Sequence, residues 1–276
     1  MARQRLGQHF LADPGWREEI ARAIRISPQS IAPSAISTIS QDSASCWIEI
    51  GAGHGEITPL LAATGVPVYA IELDRMLIGH LQKVRREYPN LTVVHGDILE
   101  VDISAIAGGR RARIYGNLPY YITSPILHRL FESAELIDEM HFVIQAEVAE
   151  RLIAQPGNKA YGYLSVLTQF YARPELVLRI PPGAFRPPPD VSSALVTLRL
   201  SGEQARLGSV DASRFLEFVK LCFSQKRKTL VNSLRTAVDP QRVRDALASL
   251  NIRSDARAEQ LSIQALAALY QELHSN

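Results

Sequence analysis

The feature that most constrains the fold is a glycine-rich turn between a short apolar segment and a helical one. Residues 46–50 are largely apolar and predict a strand, residues 51–55 form the turn, and a helix is predicted from Glu56 to about Ala63. Glycine lets the backbone N–H groups of such a turn approach a ligand closely. A strand, a tight turn and a helix in this order are typical of α/β proteins with a parallel sheet.

Two further predicted strands end in acidic residues. The strand at 67–71 is followed by Glu72, about twenty residues past Gly51, and the strand at 91–94 is followed by Asp97. Glu72 can accept the hydroxyl hydrogens of a ribose, and Asp97 would lie in reach of an adenine amino group. The glycine spacing differs from that of dinucleotide binders, which disfavours a pyrophosphate ligand but suits S-adenosylmethionine. The alternative is a plain tight turn.

A second functional segment is the loop at residues 117–120, Asn-Leu-Pro-Tyr. Pro119 restricts its own φ and pushes Leu118 into an extended conformation, so the loop is stiff. Such a turn can direct the Asn117 carboxamide and a backbone carbonyl at one point, with the Tyr120 ring as a wall. Two acceptors and a ring suit a flat molecule with an exocyclic amino group. The alternative is an ordinary proline-containing loop.

Two other segments hold candidate binding residues. Gln8 and His9 lie near the N-terminus, where the alternative is a frayed polar end. Residues 181–193 are rich in proline, which stiffens this loop and can present Phe185 as a second ring opposite Tyr120. The alternative is a connector in which the phenylalanine is simply buried.

The length of 276 residues predicts about two domains. We expect the strands within residues 1–204, with a loop or insertion at 27–45, and a helical domain at 205–276. The helical part holds 11 Lys and Arg against 7 Asp and Glu, whereas the remainder holds 19 against 21. This balance and the run Lys226, Arg227 and Lys228 favour a polyanionic partner. The alternative is a solvated surface.

Composition excludes several classes of protein. A hydrophobic fraction of 46% excludes a disordered chain. We find neither an apolar run of the roughly 20 residues that a membrane span needs nor an apolar signal core, so we expect a cytoplasmic protein without membrane contact. Cys46 and Cys222 lie far apart without metal-ligand spacing, which predicts reduced packing residues and no metal.

The order of these motifs along the chain resembles the ribosomal RNA adenine N6,N6-dimethyltransferase family over nearly the whole length. The residues that carry this resemblance are those at 8–11, 49–55, 72, 96–97, 117–120, 185–193 and 225–229. The segment 226–234 and the helical tail resemble the bacterial small-subunit enzymes, and the erythromycin-resistance enzymes of the large subunit are the alternative. The chain departs from the family pattern at His9, where many relatives have Asn, at Ala52, where Pro is common, and in a longer loop at 27–45.

The resemblance implies a class I, Rossmann-like methyltransferase fold with a seven-stranded, mostly parallel sheet and a small helical C-terminal domain. It also implies S-adenosylmethionine as cofactor, S-adenosylhomocysteine as product, immature small-subunit ribosomal RNA as substrate, and a monomer. The residues it implies for catalysis are Asn117, Leu118, Pro119, Tyr120 and Phe185. Those it implies for cofactor binding are Gln8, His9, Leu11, Gly51, Gly53, Glu72, Leu73, Asp97, Ile98 and Asn117.

Two other classes remain as alternatives at this stage. An NAD-dependent oxidoreductase would use a glycine-rich turn and Glu72, but it expects a glycine at position 56, where this chain has Glu. A non-catalytic RNA-binding relative would keep the fold and drop the amide or the cofactor pocket, whereas here every pocket position is filled.

Overall fold

The computed structural model describes residues 9–24, 45–119, 122–207, 210–225 and 227–274. Gln8, Tyr120, Lys226 and the predicted loop at 27–45, apart from Ser45, lie outside the described residues. The chain divides into two compact units, Met1–Ala149 with Glu175–Leu200, and Glu150–Pro174 with Ser201–Asn276. The second unit thus combines the residues from Ser201 onward, close to the boundary expected at 205, with residues 150–174, which we expected in the first domain.

The strands form a large sheet and a small one. They are β1 (Phe10–Leu11), β2 (Ser45–Ile50), β3 (Val68–Glu72), β4 (Leu91–His95), β5 (Arg111–Asn117), β6 (Ile137–Gln145), β7 (Arg173–Ile180), β8 (Phe185–Arg186) and β9 (Ser193–Arg199). The large sheet has the order β4-β3-β2-β5-β6-β9-β7, and β1 pairs with β8. Strands β2 to β6 pair in parallel, whereas β9 runs antiparallel to β6. The predicted seven-stranded, mostly parallel sheet is confirmed.

Helices alternate with these strands and then follow one another. They are α1 (Pro14–Ala23), α2 (Thr58–Ala62), α3 (Arg75–Glu87), α4 (Ile103–Ala107), α5 (Thr123–Phe131), α6 (Ala146–Ile153), α7 (Tyr163–Tyr171), α8 (Ala212–Cys222), α9 (Leu230–Leu234), α10 (Pro240–Ser249) and α11 (Ile263–His274). Aspartates cap five of them by accepting hydrogen bonds from the first turn, namely Asp13, Asp74, Asp102, Asp211 and Asp239. Each such cap contributes about 1 kcal/mol.

The order of the strands creates a crevice where the direction of winding reverses. The chain adds β3 and β4 on one side of β2, and β5 and β6 on the other. Ile50 lies opposite Gly116, so both strands end at the same level. A Cβ on Gly116 would come within 2.8 Å of Leu118 Cδ2 and 3.3 Å of the Ile50 carbonyl oxygen. Ligands of open α/β sheets bind at this kind of switch point.

Several elements differ from the sequence-based prediction. The helix expected to run to about Ile26 ends at Ala23, and α3 was not predicted, although Leu77 and Leu81 show the spacing of a buried helical stripe. Strand β9 was expected to alternate, but its residues from Ser193 to Leu198 are all buried. A strand covered on both faces carries apolar side chains on both, so alternation disappears.

The second unit is helical around a cluster of aromatic rings. The Phe215 ring lies 5.4 Å from that of Phe170 and 5.9 Å from that of Tyr270, and Phe218 lies 5.5 Å from Tyr270. Contacts of this kind stabilise a small core beyond the area they bury. The helical prediction for residues 205–276 is confirmed in the part that the structure describes. No helix of the described residues combines the length and the apolar character that crossing a membrane requires.

Candidate active site

A cavity opens at the carboxyl ends of β2 and β5, within the first unit. It brings together seven residues that the sequence analysis singled out: His9, Leu11, Gly51, Gly53, Asn117, Leu118 and Pro119. It is also lined by six that the sequence analysis did not assign to the site: Phe10, Glu49, Ala52, Glu56, Ile57 and Tyr115.

The glycine-rich turn needs glycine for conformational reasons. Gly51, Gly53 and Gly55 have φ of 66°, 61° and 88°, a region that other residues adopt at a cost. Gly53 also lies under the Phe10 ring, since a Cβ there would come within 3.2 Å of Phe10 Cε1. The turn therefore bends sharply and lies against the N-terminal segment.

Glu72 is held in place by the turn that it faces. This residue is 3% exposed, its Oε2 accepts a hydrogen bond from Gly53 N at 2.9 Å, and its Oε1 accepts one from Asp74 N at 2.8 Å. Each carboxylate oxygen keeps a second lone pair, so the group can also accept the hydroxyl hydrogens of a ribose. Glu72 does not itself line the cavity, and its predicted role as the ribose ligand stays a prediction.

The end of the neighbouring strand β4 lies beside the end of β3. The carbonyl of Glu72 accepts a hydrogen bond from Gly96 N at 3.1 Å, which joins the ends of β3 and β4. Asp97 follows, and its Oδ1 accepts one from Leu99 N at 2.9 Å. Leu73 is 51% exposed, whereas Ile98 is buried. The predicted roles of Leu73, Asp97 and Ile98 in cofactor binding stay predictions.

Asn117 is fixed at the rim of the cavity by the N-terminal segment. Its Nδ2 donates a hydrogen bond to the His9 carbonyl oxygen at 2.9 Å. Next to it, Leu118 N donates to the Val143 carbonyl at 3.0 Å, and Leu118 is 2% exposed. The loop is thus anchored to β6. The amide nitrogen of Asn117 faces the His9 carbonyl oxygen.

Phe185 lies in the core of the first unit. It is 1% exposed, pairs with Leu11 across the β1–β8 contact, and belongs to the same buried cluster as Leu11 and Ala184. In this conformation its ring offers no face to a ligand. Stacking on a base would need a local rearrangement, and the predicted role of Phe185 opposite Tyr120 stays a prediction.

The site residues that sequence reasoning missed include a buried carboxyl group. Glu49 lies opposite Tyr115 in the parallel pair β2–β5, and both are 2% exposed. Thr58 Oγ1 donates a hydrogen bond to Glu49 Oε2 at 2.6 Å. The pKa of Glu49 is raised to about 8, mainly by burial and also by the nearby Glu56 and Glu72, while the hydrogen bond from Thr58 lowers it. The signal in the sequence was a lone charge in an otherwise apolar strand.

The candidate RNA-binding residues lie in the second unit. Arg227 and Lys228 are exposed in the connection between α8 and α9. Lys228 N donates a hydrogen bond to the Gln225 carbonyl oxygen at 2.9 Å, which forms a turn. Their side chains are accessible to a polyanion.

The fold is shared with solved structures of methyltransferases. The chain superposes on a dimethyladenosine transferase from Plasmodium falciparum with a TM-score of 0.74 and 24% identity, covering 95% of this chain and 96% of that one. It superposes on the 23S rRNA methyltransferase ErmE with a TM-score of 0.67 and 24% identity, covering 96% and 99%. The chain therefore has the fold of the class I methyltransferases.

Sequence comparison places the chain in one family within that class. The model of the ribosomal RNA adenine dimethylase family matches residues 1–275, and the chain belongs to this family. A ribosomal RNA small subunit methyltransferase A from Koribacter versatilis is 38% identical, over 98% of this chain and 93% of that protein. The protein of the same name from Acidobacterium capsulatum is 41% identical, over 98% and 90%.

Proposed function

We propose that the protein transfers methyl groups from S-adenosylmethionine to N6 of two adjacent adenosines near the 3′ end of small-subunit ribosomal RNA. The observation that carries the proposal is the placement of the Asn117 amide beside the glycine-rich turn, at the switch point of the sheet. Membership of the dimethylase family and relatives named for the small subunit support it. The enzyme would act in the cytoplasm as a monomer on an immature subunit.

The cofactor would lie across the ends of β2, β3 and β4. Glu72 would bind the ribose, with Leu73 and Ile98 along the nucleoside and Asp97 at the adenine. Gly51, Gly53, His9, Leu11 and Gln8 would surround the methionine end. This assignment is supported by the lone pairs that Glu72 retains after binding Gly53 and Asp74.

The chemistry that the chain itself supplies is the orientation of a weak nucleophile. S-adenosylmethionine provides an electrophilic methyl group when it is bound. The lone pair of adenine N6 is delocalised into the ring, and acceptors on its two N–H bonds favour a tetrahedral nitrogen. Asn117 Oδ1 and the Leu118 carbonyl would serve as these acceptors and stabilise the positive charge that develops on nitrogen. A strong base is not needed, since the N6 proton becomes acidic once the nitrogen is alkylated.

The decisive experiment is incubation of the protein with under-methylated small subunits and labelled cofactor, followed by mapping of dimethyladenosine. We expect two adjacent dimethylated adenosines near the 3′ end of the small-subunit RNA. In a parallel incubation with large-subunit RNA, label in that RNA and none in the small subunits would favour the erythromycin-resistance type instead. Absence of any transfer from an intact, cofactor-bound protein would refute the proposed enzyme.

Replacement of Asn117 tests the reacting centre. A hydrogen bond to a developing charge is worth about 1.5–3 kcal/mol, so Asn117→Ala should slow methyl transfer by roughly ten- to more than a hundredfold. The matched control is Asn158→Ala, which removes an exposed amide in the other unit. Wild-type turnover of the Asn117 variant would exclude it from the reaction.

A further inference from the structure

The Asn117 carboxamide has a defined polarity. Its contact at 2.9 Å is with the carbonyl oxygen of His9, and a carbonyl oxygen only accepts hydrogen bonds. The amide nitrogen must therefore face His9, because the inverted carboxamide would set two acceptors against each other. This leaves Oδ1, the acceptor of the side chain, on the opposite side of the group.

The ring of His9 is itself tethered. Its Nδ1 lies 2.8 Å from the carbonyl oxygen of Pro187, so by the same reasoning Nδ1 carries the proton and donates it. Residues 9–13, here called the strap, are thereby joined to the segment after β8. His9 therefore links the segment at Pro187, through its ring, to the Asn117 amide, through its backbone carbonyl.

The rest of the strap is held by the same neighbours. Phe10 and Leu11 pair with Arg186 and Phe185 in the antiparallel contact of β1 and β8. The Ala184 carbonyl accepts hydrogen bonds from the backbone N–H groups at 12 and 13, at 2.9 and 3.1 Å. Loss of the His9 ring contact should therefore loosen the end of the strap nearest Asn117 and leave β1 paired.

We propose that His9 is a positioning residue for Asn117: its ring, held by the Pro187 carbonyl, fixes its own carbonyl against the Asn117 amide nitrogen, so that Oδ1 faces the substrate amine. The inference rests on the proposed function, because the polarity of the amide matters only when the group it meets is a donor. An adenine N6 amine offers N–H bonds, and an inverted Asn117 would present N–H to N–H. The strap would thus determine the fraction of enzyme molecules in which Asn117 Oδ1 faces the substrate amine.

Two substitutions separate this role from direct binding of the cofactor. The Nδ2 of an asparagine is attached to Cγ, as Nδ1 is in histidine, so His9→Asn can restore the donor to Pro187, whereas His9→Ala removes it. At saturating S-adenosylmethionine, single-turnover transfer to adenine should slow roughly fivefold or more in His9→Ala and recover most of the loss in His9→Asn.

The test depends on which constant changes in His9→Ala: the saturating rate of methyl transfer or the Kd of the cofactor. An unchanged saturating rate in His9→Ala, with only the cofactor Kd raised, would overturn the inference and leave the proposed function standing. Equal slowing in the alanine and asparagine variants would also overturn it. A wild-type protein that methylates no adenine in RNA would refute the proposed function, and the inference with it.

The contact itself can be observed without turnover. The chain has six asparagines, so selective 15N labelling yields six side-chain amide pairs, of which Asn117→Ala removes one. In the wild type we expect one Asn117 amide proton to exchange slowly with solvent, because it is donated to His9. His9→Ala should abolish this protection and His9→Asn should keep it. Rapid exchange of both protons in the wild type would contradict the inference.

Discussion

At the scale of single residues, the cavity is lined by a buried carboxyl group, that of Glu49. Glu49 is surrounded by protein, and its Thr58 contact does not offset the loss of water, so burial raises its pKa to about 8. Tyr115, opposite it on β5, has a buried hydroxyl without a hydrogen-bond partner among the described residues, and burial raises its pKa as well. Both groups lie against the cavity at a cost in stability.

Glu49 makes stability depend on pH. Between its ordinary pKa of 4.5 and about 8, the unfolded chain releases the proton that the folded chain retains. The free energy of unfolding should therefore fall as pH rises through this window, by at most about 1.4 kcal/mol per unit. In Glu49→Gln, which can still accept from Thr58, this contribution should vanish.

The measurement is denaturant unfolding of both proteins at pH 5, 6, 7 and 8. The variant should gain stability over the wild type as pH rises, while Glu87→Gln, a change at an exposed site in α3, should give a constant difference. A constant difference for Glu49→Gln would mean that Glu49 is ionised in the folded protein.

Glu72 is the proposed ribose ligand, and it also joins two segments of the backbone. Its oxygens hold the glycine-rich turn and the start of α3, and they retain lone pairs for a ribose. Glu72→Ala should weaken S-adenosylmethionine binding by roughly ten- to a hundredfold in calorimetry, since a hydrogen bond to a charged group is worth about 1.5–3 kcal/mol. RNA binding should change little. Unaltered cofactor affinity would show that Glu72 is not the ribose ligand.

At the scale of elements, the connection between α8 and α9 is the candidate RNA contact. Arg227 and Lys228 are exposed there, and Thr229 caps the start of α9, because its Oγ1 accepts a hydrogen bond from Asn232 N at 3.4 Å. Because Arg can grip a phosphate with two hydrogen bonds, Arg227 is the best single candidate. The run would read charge and shape rather than bases.

Salt dependence tests this connection. Each lost phosphate contact removes about 0.7–0.9 from the slope of log affinity against log salt. Replacement of residues 226–228 by Gln should weaken RNA binding at low salt and flatten the slope by roughly two units, with cofactor binding unchanged. The matched control replaces Lys83, Arg85 and Arg86, exposed on α3, by Gln. If both triple variants keep the wild-type slope, the run is a surface feature without phosphate contacts.

At the scale of the whole molecule, the sheet order determines which ligands the chain can hold. Reversal of winding between β2 and β5 opens the crevice, and the ends of these two strands, the glycine-rich turn and the N-terminal segment line it. A ligand that binds only the folded state raises stability by RT ln(1 + [L]/Kd), about 2.7 kcal/mol at a concentration of 100 Kd.

Thermal unfolding therefore distinguishes the cofactor classes. S-adenosylmethionine at saturation should raise the Tm by roughly 5 °C or more, because about 1 kcal/mol corresponds to 2–4 °C at this size. NAD at the same concentration should leave the Tm unchanged. A shift with NAD alone would revive the oxidoreductase alternative, whose third glycine this chain lacks.

Much of the fold and part of the site could be predicted from the sequence. Apolar runs, turn glycines and capping aspartates act over a few residues, so the strands ending at Glu72 and Asn117, and the order of the motifs, could be located along the chain. The glycine spacing likewise indicated a ligand without a pyrophosphate. These properties depend on local backbone preferences and on which faces are apolar.

Only the tertiary structure decided what surrounds those residues. His9 meets Pro187 across 178 positions and Asn117 across 108, and β1 and β8 have two residues each, too few for a periodic signal. The same pairing buries Phe185 and places Phe10 over Gly53. Local sequence determines where a strand ends and which side chain follows it. Which distant backbone atom that side chain meets depends on the packing of the whole unit, because long-range pairing carries no local preference.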